Sequence, residues 1–126
     1  MSLRTPIGRA RGLGSAKSGL HHWWMERITA VALIPLTLWF VVALVGLTGA
    51  DHATAVAWLQ TPLNAILMLL LIVATFHHMQ LGLQVMIEDY IHAEGLKITM
   101  VIVEKLASFG LAVACGVAVL KVSFGG

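Results

Sequence analysis

Three long apolar stretches, separated by short polar ones, set the pattern of this chain. No Asp, Glu, Lys or Arg lies between Arg27 and Asp51, and Ile28 to Thr48 gives 21 mostly apolar residues. About 20 helical residues cross the hydrocarbon core of a bilayer. The pattern therefore predicts a membrane-spanning helix over about 28–48. Pro35 falls inside it, which a membrane helix tolerates more readily than a soluble one. His21, His22, Trp23 and Trp24 precede the span, and paired tryptophans suit the headgroup belt. A second charge-free stretch runs from His52 to Ile87, and its apolar part predicts a span over about 63–87. A third span is predicted over about 98–120, with Glu104 and Lys105 near its start. Lys105 can snorkel to the headgroups. Glu104 is expected to face protein rather than lipid. Residues 49–61 and the stretch holding Glu88, Asp89, Glu94 and Lys97 are predicted as loops.

Composition agrees with this pattern. Of 126 residues, 59% are hydrophobic and only 11% charged, with a mean hydropathy of +0.90. So few charges cannot furnish the surface of a soluble domain of this length. In lipid, apolar side chains need not bury against each other, and each helix satisfies its own backbone. The predicted fold class is an all-α membrane protein. Residues 21–126 form a three-helix anchor, and residues 1–20, rich in Gly, Ser, Arg and Lys, form a cytosolic arm. The first apolar run starts too late and runs too long for the core of a cleaved signal peptide. No internal repeat, linker or second domain is visible.

Charge placement says more than the net charge of +2. A balance that small gives no argument for nucleic acid. Arg4, Arg9, Arg11 and Lys17 lie before span one with no acidic residue among them, whereas residues 49–61 hold Asp51 and no Lys or Arg. Lys97 lies between spans two and three. Positive residues collect on the cytosolic side, so the N-terminus is expected there and the C-terminus on the far side. Lys121 is a minor dissent. Cys115 is the single cysteine. It can form no internal disulfide and belongs to no Cys-x-x-Cys pattern.

Polar groups are costly inside a bilayer, so they mark where chemistry would be. His21, His22, Glu26 and Arg27 form one cluster at the cytosolic mouth of span one. His77, His78, Gln80 and Gln84 form a second within span two, followed by Glu88, Asp89, Tyr90 and His92. On a helix, His77, Gln80, Gln84 and Glu88 share one stripe, and His78, Gly82, Val85 and Asp89 share the next. From His78 to Asp89 is eleven residues, about 16 Å along a helix. That puts His78 roughly halfway through a hydrocarbon core about 30 Å thick.

A neutral histidine at that depth can hold a haem iron, and Gly82 would let a flat macrocycle come close. A membrane histidine can equally just hydrogen-bond a neighbouring helix. Periodicity does not choose between His77 and His78, which lie about 100° apart around the helix. Tyr90 reads either as a belt residue or as a hydrogen-bond donor to a carbonyl oxygen, with Asp89 tuning it or relaying protons. Arg27 reads as a positive-inside anchor or as a cation for a buried anion. Met25, Met68, Met79, Met86 and Met100 read as packing.

At these clusters the sequence resembles the small membrane anchor subunits of succinate dehydrogenase. The stretch from His78 through Gly82 to Asp89-Tyr90 is similar to that family's His-x-x-x-Gly-(x)6-Asp-Tyr signature. Arg27-Ile28-Thr29-Ala30 resembles its Arg-x-Thr-Ala. The order of the motifs and the three spans match over essentially the whole chain, and His-His-Trp-Trp resembles the alphaproteobacterial branch. The resemblance implies a bundle with a second cytochrome b membrane subunit. It implies one b-type haem shared between the two, with His78 as this chain's axial ligand to the iron. It implies that Arg27 lies near a haem propionate, and that Tyr90 hydrogen-bonds ubiquinone with Asp89 beside the quinone pocket. A flavoprotein carrying FAD and an iron–sulfur protein are expected to dock on the cytosolic face of a bacterial inner membrane. Succinate would be oxidised there, outside this chain, and electrons passed to quinone, linking the tricarboxylic acid cycle to the respiratory chain. Two other expectations stand beside this one. One is the anchor of a quinol:fumarate reductase; the other is a cofactor-free structural membrane subunit. His21, His22, His77, His92 and Glu104 receive no assigned role.

Overall fold

The computed structural model describes residues 5–7 and 17–125, without the side chains of residues 17 and 18. Arg4, Arg9 and Arg11, and the side chain of Lys17, lie outside this part. Between residues 17 and 125 the chain forms four helices. These are α1 (Lys17–Gly46), α2 (His52–Gln60), α3 (Pro62–Tyr90) and α4 (Glu94–Ser123). No strand occurs among the described residues. Three of the helices, α1, α3 and α4, are long and apolar enough to cross a membrane. The all-helical, three-span expectation therefore holds.

The helices run past the predicted apolar limits. At 29 or 30 residues each, they are about 45 Å long. That matches a bilayer with its headgroups, not only its hydrocarbon core. The α-helix at the mouth of span one already includes His21 to Trp24. On the other side, only Ile91 to Ala93 separate α3 from α4. Glu88 and Asp89, expected in a loop, sit in the last turns of α3, and Glu94 and Lys97 open α4. Glu94 at the N-terminus of α4 is favourable to the helix dipole. It lies 3.6 Å from Lys97 one turn on.

The predicted loop at 49–61 contains a helix as well. Gly49 has φ of 79°, the left-handed conformation that closes α1. Asp51 then caps α2, its Oδ1 accepting the Thr54 N–H at 2.9 Å. Hydrogen bonds from Thr54 hold the Asp51 carboxyl below the usual carboxylate range. The stretch His-Ala-Thr-Ala-Val-Ala-Trp-Leu-Gln is too short to span and too polar to show as a span, but it makes a capped short helix. Pro62 starts α3 at a position where a missing N–H costs nothing. At this end Trp39 and Trp58 stack with centroids 5.6 Å apart. Gln60 Nε2 donates to Val122 O, and Ser123 Oγ to Leu59 O, so α2 is tied to the end of α4.

The helix α3 is central. Both α1 and α4 pack on it, and they do not pack on each other. The buried residues of α3 include Ala65 and Ala74, and a methyl added at Gly116 of α4 would stand 3.8 Å from Leu69 Cδ2. Small residues let membrane helices approach closely. We expect Ala74→Leu, at a position only 8% exposed, to cost about 1–3 kcal/mol by overpacking. Val42→Leu, on the lipid-facing side at 71% exposed, should cost nothing measurable. Thermal unfolding of the purified protein in detergent checks this; equal melting of the two variants would count against close packing on α3.

Candidate functional site

The helix α3 carries His77, His78, Gln80, Gln84, Glu88, Asp89 and Tyr90 on one unbroken rod. It splits them as helical spacing predicts. On the first stripe, Gln80 Nε2 donates to Gln84 Oε1 at 3.1 Å, and Gln84 Nε2 donates to Glu88 Oε1 at 2.9 Å. A ladder of side chains thus runs from mid-helix to the end where Asp89 and Tyr90 sit. Both of those residues are exposed, Tyr90 at 76%.

His78, on the second stripe, meets α1. Its Nδ1 stands 2.9 Å from Oγ1 of Thr29. Thr29 is buried, and its Oγ1 also lies 2.7 Å from the carbonyl oxygen of Met25 and 3.1 Å from that of Glu26. Gly82, one turn along from His78, has open space where a Cβ would be. Thr29 appears in the sequence only as part of Arg-x-Thr-Ala. A hydroxyl two residues into an apolar run was the one signal pointing to it.

His77 faces differently. It borders a cavity of about 490 Å³ at the gap between α1 and α4, lined also by His21, His22, Gln80, Gln84 and Lys105. It also borders a groove of about 530 Å³ along α3 and α4, beside Phe76, Ser108 and Phe109. Among the described residues, His77 Nε2 and His22 Nε2 are buried with no hydrogen-bond partner, and the buried carboxylate of Glu104 lies beside Gln80. The structure therefore brings His22 from the first cluster and His77 and Gln80 from the second around one cavity, with Lys105 of α4 as a member that reading along the chain did not reveal.

Arg27 is exposed, and its guanidinium carbon lies 5.3 Å from the ring centroid of Trp23. This is cation–π range. Two residues on a helix differ by about 200° in direction, so Arg27 and the buried Thr29 leave α1 on nearly opposite sides. Trp23 and Trp24 meet edge to face at 5.0 Å. His92 is exposed just past the end of α3.

Comparison with known proteins bears on what such a site serves. The hydrophobic membrane anchor subunit of succinate dehydrogenase from Rickettsia bellii is 40% identical, over 92% of this chain and 93% of its own length. The corresponding subunit of Rickettsia conorii is 34% identical over 82% of each chain. That of Paracoccus denitrificans is 34% identical over 68% of this chain and 67% of its own. Residues 1–119 match the family described as succinate dehydrogenase/fumarate reductase transmembrane subunit. With three helices fit to span and relatives aligned along most of its length, this chain belongs to the succinate dehydrogenase/fumarate reductase transmembrane subunit family.

Proposed function

We propose that this chain is the membrane anchor subunit of a succinate:ubiquinone oxidoreductase, helping to hold a b-type haem and a quinone. The observation that carries the reading is one helix, α3, bearing a histidine within its apolar span with a hydrogen-bonded Nδ1 and an exposed Asp-Tyr pair at its end. The relatives' names favour succinate dehydrogenase over fumarate reductase within the family.

The residues present fit the haem. His78 makes its hydrogen bond through Nδ1 and none through Nε2, and the flank at Gly82 is open. A bound b-type haem supplies a one-electron store within the membrane. One histidine offers one axial bond, so a second membrane subunit is proposed to supply the other. Arg27, exposed on the face of Trp23, is free to pair with a propionate that such an assembly brings to α1.

Tyr90 is the proposed quinone contact. Reducing a quinone to a quinol adds two electrons and two protons, and negative charge builds on the carbonyl oxygens. The Tyr90 hydroxyl donates a hydrogen bond to such an oxygen and so favours that charge. Asp89 beside it exchanges protons with water at the membrane edge, where none need travel through the bilayer. Flavoprotein and iron–sulfur partners are proposed on this same cytosolic side, with N-terminus inside and C-terminus outside. A C-terminal alkaline phosphatase fusion, active only in the periplasm, is expected to be active; an inactive, well-expressed fusion would reverse the topology.

In the purified complex, His78→Ala is expected to lose most of the haem, read from the reduced-minus-oxidised spectrum, and His77→Ala to keep it. Equal loss would defeat the assignment to His78. Tyr90→Phe removes the donor and keeps the ring. It should lower quinone reduction at least 10-fold, about 1.4 kcal/mol of lost stabilisation, while succinate oxidation with a soluble dye persists. Unchanged quinone reduction would leave Tyr90 as a belt residue only.

A further inference from the structure

We infer that Thr29 is a positioning residue for His78: its hydroxyl accepts the ring's Nδ1–H, fixes that tautomer and leaves Nε2 as the nitrogen free to bind iron. The inference rests on the haem reading above and deepens it.

Proton counting carries the argument. Thr29 Oγ1 has one hydrogen and three close polar neighbours, the carbonyl oxygens of Met25 and Glu26 and Nδ1 of His78. A carbonyl oxygen cannot donate. Two oxygens 2.7 Å apart repel unless a proton lies between them, and that distance is typical of O–H···O. The hydroxyl hydrogen therefore goes to Met25 O, the back-bond to residue i−4 that threonine commonly makes in helices. Only lone pairs then remain to meet His78. The 2.9 Å contact requires the hydrogen to sit on Nδ1, and 2.9 Å is typical of N–H···O. A neutral imidazole carries one N–H, so Nε2 keeps its lone pair. Thr29 is only 6% exposed, so water does not compete for the hydroxyl.

The arrangement does two things at once. It turns the ring about a fixed point on α1. It also passes the pull of a helix carbonyl through the hydroxyl to the ring. Ligating histidines commonly donate their second N–H to a carboxylate, carbonyl or water, which raises ligand basicity. Here a hydroxyl backed by a carbonyl fills that place. A more basic ligand favours ferric over ferrous iron. Without the acceptor, the haem should become easier to reduce.

The test compares Thr29→Val, Thr29→Ala and Thr29→Ser in the assembled, purified complex. Haem content, the electron paramagnetic resonance of the ferric haem and its midpoint potential are read, none of them an activity. Val and Ala remove the acceptor; Ser restores it. Losing such an outer contact typically changes metal affinity 10- to 100-fold. A 10-fold loss of ferric over ferrous preference raises a one-electron midpoint by about 59 mV. The expected result is a raised midpoint and altered resonance in Val and Ala, with Ser like the wild type. Val and Ala complexes with wild-type potential and resonance would overturn the inference while leaving the haem reading intact. The same changes in Ser would also overturn it, since the side chain would then only fill space. So would failure of both Val and Ala to assemble, for the hydroxyl would then serve the packing of α1 on α3. Full haem in His78→Ala would instead overturn the reading beneath it.

Discussion

The hydrogen bond between Thr29 and His78 joins α1 to α3 through a hydroxyl that is only 6% exposed. Its energy is modest. Side-chain hydrogen bonds between membrane helices average about 0.6 kcal/mol and reach about 1.7 kcal/mol. Packing of α1 along the full length of α3 contributes more than that. What the bond adds is register, because a slide of α1 by one turn would move Thr29 about 5.4 Å from the ring and leave Nδ1 of His78 without this partner. Thr29 is buried at the one place on α1 where His78 can reach it. Within the packing of α1 on α3, this contact sets which turn of α1 stands opposite His78.

The three spans were legible because lipid makes the signal plain. Little besides a membrane helix accommodates a charge-free apolar run of about 20 residues. Their ends were less legible. Hydropathy stops where the hydrocarbon stops, but a helix continues for as long as its backbone has partners. The headgroup region lets charged side chains ride on it, so α1 extends back to Lys17 and α4 begins at Glu94. The short helix α2 escaped the same reading because it is neither apolar enough to span nor periodic over enough turns. Its local signal was present in Asp51, a good N-cap, followed by alanines. The stripes of α3 came through from spacing alone, since a helix fixes which residues share a face. Their partners on α1 and α4 did not. Spacing within one helix carries no information about which residue of another helix stands opposite, and neither Thr29 nor the cavity at Lys105 could be read in that way.

The two ends of the bundle are built on different principles. At the α2 end, side chains close the structure on itself: Trp39 stacks on Trp58, Asn64 donates to Trp58 O and the Thr61 hydroxyl to Ala57 O, and Ser123 and Gln60 reach across to backbone carbonyls. At the other end the polar groups point outward. Tyr90, Asp89 and Arg27 are exposed. Nε2 of His22 and of His77 are buried without partners among the described residues. An unpaired buried polar group costs about 1–3 kcal/mol, and more when charged. A chain folding for itself alone gains nothing from that expense, so the asymmetry favours assembly at this end and stability at the other.

The histidine doublet sharpens the same contrast. His77 and His78 sit at one depth on one helix, so neither depth nor hydropathy separates them. Their surroundings do. His77 looks along the gap between α1 and α4 into a polar cavity, with its Nε2 unpartnered. His78 is gripped at Nδ1 by a hydroxyl that has already committed its own hydrogen to Met25 O. A ring with a free nitrogen and loose surroundings can bind many things weakly. A ring whose tautomer and direction are already set loses less freedom when it binds one thing. The ligand role proposed for His78 draws on preorganisation of that kind, and the Thr29 contact separates the two histidines where depth and hydropathy do not.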